Sequence, residues 1–258
     1  MFKAFRIFVL LIILVIVAGS TYLTKLRTTD WDSPLWVSIY PINGDSSQRT
    51  TNYIKSLKKS DFQDIETFMA DEAKYFKIPI KRPVSISIAP QIFEQPPAPP
   101  ADRSLFNIML WSLKLRYWAY TRDSNTGPEP DVQIFAVYYD PSGNKKLSHS
   151  LGLEKGHIGV VHAYAGKRFT RKNNIIIAHE FLHTLGATDK YELSSGYPHY
   201  PDGFANPDNN PRYPQSRAEV MAGRIPVNES EAVFPKNLYR VVIGKKTAEE
   251  INWVKTSN

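Results

Sequence analysis

IIIAHEFLHTLGATDKY, residues 175–191, combines an apolar helical face with side chains that carry chemistry. His179 and His183 stand four residues apart, so on a helix their imidazoles leave the same face one turn apart and can meet at one metal ion. Glu180 sits beside the first of them, placed to reach a water on that ion rather than the ion itself. Ala178, Phe181, Leu182 and Leu185 occupy the opposite side and would bury the helix, making it a rigid platform. Gly186 comes three residues after His183, where a glycine in the left-handed conformation ends a helix and turns the chain back. Asp189 returns after that turn, and two imidazoles with a carboxylate form a zinc ligand set that leaves a fourth position to water. Glu192 and Glu219 are the alternative carboxylates for the third place.

HExxHxxGxx followed by a third ligand resembles the signature of the metzincin clan of zinc endopeptidases, and Asp in the third place is similar to the snapalysin type within it. The resemblance implies an α+β fold. Its N-terminal subdomain would hold a twisted mixed sheet with helices, followed by the active-site helix and a loop-rich C-terminal subdomain with a methionine turn and a final helix. Met221, the only Met after the motif, is the implied turn residue. The clan pairs extended substrate with an edge strand above the cleft. HIGVVHAY, just before the active-site helix, is the candidate, through Gly159, Val160, Val161 and His162.

The implied cofactor is one Zn2+ and the implied reaction is hydrolysis of peptide bonds, with Glu180 taking a proton from a zinc-bound water and returning it to the leaving amine. No Tyr follows Met221 closely, and Tyr191, Tyr197, Tyr200 and Tyr213 are all available to stabilise the oxyanion. Two other readings compete: a non-catalytic, zinc-stabilised module that binds peptides or envelope components, and a hydrolase of a non-peptide amide. A general base at Glu180 argues against the first, because a structural site has no use for one.

Composition narrows the chemistry. The chain has 258 residues, 42% of them hydrophobic, with 14 Tyr, 13 Phe and 5 Trp, enough for a sizeable core and too apolar for a disordered chain. It has no Cys, which excludes a disulfide framework, a thiolate nucleophile, cysteine-ligated zinc and a thiol latch on the metal. Any metal must therefore use Asp, Glu or one of six His. The net charge of +7 is spread along the chain, and Lys58-Lys59 sits on the polar face of an expected helix, so no nucleic-acid partner is expected.

Ile7 to Leu23 is a run of seventeen residues without a charge, preceded by Lys3 and Arg6. Residues 1–24 therefore read as a signal anchor or a cleaved signal peptide. Either sends the remainder outside the cytoplasm, membrane-anchored in one case and secreted or periplasmic in the other. Residues 25–34 read as a stalk and 35–258 as the metallopeptidase-like domain, with 35–187 its upper and 188–258 its lower part.

Period-two alternation predicts strands over 35–42, 84–90, 131–140 and 157–164. Helical spacing predicts helices over 46–76, broken near Ser60-Asp61, and from Ser104, with Ile108, Trp111, Leu115 and Trp118 as a core stripe. The motif helix is expected over 173–187, capped by Asn173 or Asn174, and a last helix from Thr247 with Glu250 closing a capping box. Four prolines within 91–103 make that segment a surface loop. The loop 197–215 is dense in Asp and Asn, which suits calcium, but the spacing of an EF-hand is absent; a proline-braced lower wall of the cleft is the expectation. His149, His157, His162 and His199 lack paired spacing and are expected as strand or loop residues.

Overall fold

Alternating apolar residues in 35–43 form β1 (Leu35–Asn43), whose register with its neighbours sets the rest of the upper half. Helix α1 (Gln48–Lys55) follows, opened by Ser47, whose side chain accepts from the Thr50 N–H. A short 3-10 turn leads into α2 (Gln63–Tyr75), and the chain returns as β2 (Val84–Ile88). The proline-rich connection is irregular as far as α3 (Leu105–Thr121), capped by Ser104. Then come β3 (Val132–Tyr139), β4 (Leu151–Leu153), β5 (Ile158–Tyr164) and α4 (Thr170–Thr184). The last quarter holds four two-residue strands, β6 (Ala218–Glu219), β7 (Ile225–Pro226), β8 (Ala232–Val233) and β9 (Val241–Val242), and the short helix α5 (Lys245–Glu250). This computed structural model describes residues 6–8, 11–12, 27–102, 104–143 and 147–255. Most of the apolar N-terminal segment lies outside them, and among them no helix is long and apolar enough to cross a membrane.

The class is α+β, built on a five-stranded mixed sheet in the order β2-β1-β3-β5-β4. The pairs β1/β2, β1/β3 and β3/β5 are parallel, with helices in the connections β1 to β2 and β2 to β3, and β4 alone runs antiparallel, against β5. Each strand sends alternate residues to opposite faces. Val37, Ile39, Ile134, Ala136 and Val161 pack on one side with Ile65, Met69, Ile177 and Phe181 of α2 and α4. Tyr40, Ile42, Phe135, Val137 and Val160 pack on the other with Leu115 and Ala119 of α3. The sheet thus separates α4 from α3, and the lower part joins the α4 side through Val220, Met221, Val241 and Ile251.

Several expectations are corrected. The candidate substrate strand 157–164 is not an edge: β5 is hydrogen-bonded to β3 on one side and to β4 on the other, with Gly159 and Val160 opposite Gly152 and Leu151. On this side of the sheet the edge strand is β4, too short to show any alternation; the opposite edge is β2. Residues 27–34 are not a free stalk. Trp31 is buried edge-to-face against Trp253 at 5.4 Å and donates its indole N–H to the Ile251 carbonyl, while Arg27 pairs with Asp131 at 3.0 Å. α4 begins at Thr170, and Asn173 and Asn174 lie inside it, donating across the chain to the Tyr164 and Asp61 carbonyls rather than capping. α5 starts at Lys245, before Thr247, whose hydroxyl goes to Glu219. In the stripe of α3, Leu115 is fully buried, Trp111 and Trp118 are half-buried, and Ile108 is exposed.

Close contact between sheet edge and α4 depends on Gly152. A Cβ there would stand 2.5 Å from both the Glu180 carbonyl oxygen and His183 Cβ. Neither a helix backbone nor the root of a buried side chain can swing aside. Gly152→Ala should therefore push β4 off α4 and cost about 1–3 kcal/mol. Chemical denaturation checks it, and an unchanged midpoint would show that this contact is not as close as drawn.

Candidate metal centre

α4 brings His179 and His183 together because their spacing is one turn. Their Nε2 atoms are 3.0 Å apart, and Asp189 Oδ1 lies 3.1 Å from His183 Nε2 and 3.2 Å from His179 Nε2. Tetrahedral ligands at about 2.0–2.2 Å from an ion are separated by roughly 3.3–3.6 Å, so this triangle is within a few tenths of an ångström of the size required. Among the described residues no other group of three His, Asp or Glu side chains gathers closely enough to hold an ion, the acidic loop 197–215 included.

The ring tautomers follow from the backbone. His179 Nδ1 is 2.9 Å from the Val220 carbonyl, and His183 Nδ1 is 2.7 Å from the Ala187 carbonyl. A carbonyl only accepts, so each ring carries a proton on Nδ1 and turns its Nε2 towards the centre. Two ring nitrogens facing a carboxylate favour a positive charge there, carried by a proton on a ring or by a cation. The protonation tendencies express the same demand. Burial opposes charging His179, but the bond to Asp189, the nearby Glu180 and the Val220 carbonyl outweigh it and push the ring up to about 9. Burial would raise Asp189 too, yet both imidazoles hold its carboxyl well below the usual range. A divalent cation supplies that charge directly.

Each ligand is held by a separate local device. Gly186 has φ of 101°, its N–H donates to the His183 carbonyl at 3.1 Å, and the Ala187 N–H donates to the Leu182 carbonyl at 3.1 Å. This paired closure ends α4 and turns the Ala187 carbonyl back onto His183. Beyond it, Glu250 of α5 accepts from the Thr188 N–H and hydroxyl, and the buried Lys190 ammonium reaches both Glu250 oxygens at 3.0 and 2.8 Å. The Lys190 N–H donates to the Met221 carbonyl, so Asp189 lies between two anchored neighbours.

Val220 is set by a turn over 219–223, where the Ala222 and Gly223 N–H groups donate to the Glu219 carbonyl. The fully buried Glu219 side chain accepts from the Ala222 N–H at 2.9 Å, the Gly244 N–H at 3.1 Å and the Thr247 hydroxyl at 2.7 Å. Met221, fully buried, follows directly. Neither alternative carboxylate joins the triangle: Glu219 braces this turn, and Glu192 is exposed and accepts from the Ser195 hydroxyl at 2.6 Å. Lys190 and Glu219 matter here as braces, and no spacing in the sequence marks them as such.

A cleft of about 480 Å3 opens beside the triangle, with His179, Glu180 and Tyr191 in its wall. Residues 147–150, leading into β4, form one lip; 193–196, 222–224 and Phe234 form the other. The loop 197–215 does not line this cleft, a correction to its expected role; it closes on Gln215, whose side chain bonds Asn206 twice and the Arg212 carbonyl. His149 and His162 do line it, and His162 Nδ1 lies 3.0 Å from the Tyr139 hydroxyl.

Glu180 Oε2 is buried and has no hydrogen-bond partner. Burial pushes this carboxyl up, against the pull of both imidazoles. An orphaned carboxylate oxygen beside a cation site is what a water shared with that cation would satisfy. Of the four candidate tyrosines, only Tyr191 lines the cleft, its ring 6.5 Å from that of His179. Burial, then Asp189 and Glu180, push its hydroxyl up to about 12, so it stays protonated and able to donate. Tyr197 donates to the Asn228 carbonyl and lies 3.3 Å from the Tyr213 hydroxyl, and Tyr200 meets Phe204 edge-to-face and carries the Arg212 guanidinium over its ring. No protein-family model matches the chain, and no curated protein matches it in sequence.

Removing the Glu219 carboxylate should loosen the carbonyl that orients His179. Glu219→Ala removes the side-chain acceptor of the Gly244 N–H and the buried Thr247 hydroxyl, and one of the two acceptors of the Ala222 N–H, and should cost at least about 2 kcal/mol. Zinc affinity should fall roughly 10–100-fold, the usual effect of losing an outer-shell support. Denaturation and titration against a competing chelator measure the two effects; unchanged zinc affinity in a destabilised variant would remove Glu219 from the site.

Proposed function

We propose that the chain is a zinc-dependent endopeptidase of metzincin type, acting outside the cytoplasm and delivered there by its N-terminal segment. The observation that carries the reading is the pairing of three converging ligand atoms with the buried, unpartnered carboxylate oxygen of Glu180 beside them. His179, His183 and Asp189 would hold the ion, and zinc bound there supplies Lewis acidity, acidifying water and polarising a carbonyl.

The remaining work falls to the chain's own groups. Glu180 accepts a proton from the attacking water and returns it to the leaving amine; its burial suits this, because a raised carboxyl pKa lies closer to neutrality. The Tyr191 hydroxyl, still protonated at neutral pH, donates to the oxygen on which negative charge develops. Substrate binds extended along the free edge of β4, adding a strand through backbone hydrogen bonds, with 147–150 as the approach. Met221, buried within the turn that presents Val220, would be the methionine of the clan's turn.

Zinc content and cleavage of a peptide library, with and without chelator, test the proposal. Wild type should bind one zinc and cleave in a chelator-sensitive way. Glu180→Gln should keep the zinc and lose at least about 10²-fold in kcat, whereas His183→Ala should lose the metal. Stoichiometric zinc with no cleavage, indistinguishable from Glu180→Gln, would point to the non-catalytic module instead. In an active preparation, Tyr191→Phe should lower kcat by about 10²-fold with KM little changed; an equal rate would return the oxyanion role to zinc alone.

A further inference from the structure

α3 is apolar on both sides, yet only one side is covered. Leu115 and Ala119 face the sheet, while Phe106, Met109, Leu110, Leu113, Tyr117 and Tyr120 are exposed. At 100° per residue these six fall within an arc of about 100°, a continuous stripe along the outer face. Phe106 is 67% exposed, Leu113 51% and Tyr120 81%, far beyond the scattered apolar residues of an ordinary surface. Lys114 projects beside one border of the arc and Arg116 beside the other. From Ser104 to Arg122 the only charged residues are Lys114, Arg116 and Arg122, all basic. The Arg116 stem packs on Gly156 and Arg122 pairs with Glu94 at 2.6 Å, which leaves Lys114 as the basic side chain whose stem can lie along the stripe. An apolar stripe with aromatic residues and a basic border matches a helix that rests in a lipid headgroup region.

The tether points to the same partner. The uncharged run ends at Leu23, and four residues later Arg27 is fixed to Asp131 by an ion pair of 3.0 Å. Asp131 directly precedes β3, the strand into which α3 leads. Arg27, four residues past the uncharged run, and the C-terminal end of α3 therefore lie at the same end of the sheet. We propose that the outer face of α3 docks on an anionic lipid bilayer, a second contact beside the N-terminal segment. The inference rests on that segment entering a bilayer, as the proposed function has it, and on nothing at the metal centre.

The lack of cysteine makes the test clean, since each introduced thiol is the only one. The full chain is reconstituted in vesicles of phosphatidylcholine and phosphatidylglycerol, with an environment-sensitive fluorophore at Leu113→Cys, Tyr117→Cys, Leu11→Cys or Tyr75→Cys. Tyr75 is the exposed control on α2, across the sheet. Labels at 113 and 117 should shift to the blue and be quenched by lipid-borne quenchers, and the label at 75 should do neither. Labels at 113 and 117 that stay water-exposed while that at 11 is quenched would overturn the proposal and leave the tether standing. Quenching at 113 and 117 without quenching at 11 would support the docking face and refute the tether. A blue shift at 113 that lipid quenchers do not touch and that grows with protein concentration would mean a second copy of the chain, and would also overturn it. Leu110→Asn with Leu113→Asn, labelled at 117, should lose the lipid quenching and keep zinc content unchanged.

Discussion

Two imidazoles on one helical turn approach each other at their Nε2 atoms only if their far sides are held, and the carbonyls of Val220 and Ala187 do the holding. Those two bonds fix a proton on each Nδ1, turn the Nε2 atoms inward and create the demand for positive charge that Asp189 sharpens. Most of the lower part serves to place these acceptors. Glu219 pins the Val220 turn to the start of α5, and Lys190 with Glu250 pins the ligand loop to its end. α5 is only six residues long, yet it anchors both. Trp31, reaching the Ile251 carbonyl and packing on Trp253, secures this assembly from the other end of the chain.

What was legible in the sequence follows from the range of the forces involved. The relation of His179 to His183 depends on helical periodicity alone, and a local rule suffices for it. So do the four longer strands, whose alternation reflects one buried face after another. The third member of the triangle was legible less directly: Asp189 was the expectation, but Glu192 and Glu219 offer the same chemistry, and what brings Asp189 to the two imidazoles is a turn at Gly186 and braces from residues far along the chain. Strand β4 escaped because three residues cannot show a period, and its edge position is a property of its neighbours.

The helix ends show how local rules lose to tertiary ones. Asn173 and Asn174 are good capping residues, but their amides find the Tyr164 and Asp61 carbonyls, and α4 starts a turn earlier. Thr247 and Glu250 have the spacing of a capping box, but one serves Glu219 and the other Thr188 and Lys190. In both cases side chains that could satisfy their own backbone tie separate segments together instead.

β4 offers three residues of free edge, with a glycine in the middle, and a strand of that length reaches only about 10 Å. Under the proposed activity, backbone pairing there could grip little more than a tripeptide. Such a short ladder provides alignment rather than affinity. Discrimination between substrates would then pass to side-chain contacts along the lip opposite 147–150, where Leu193, Arg224 and Phe234 present very different surfaces to whatever lies across the cleft.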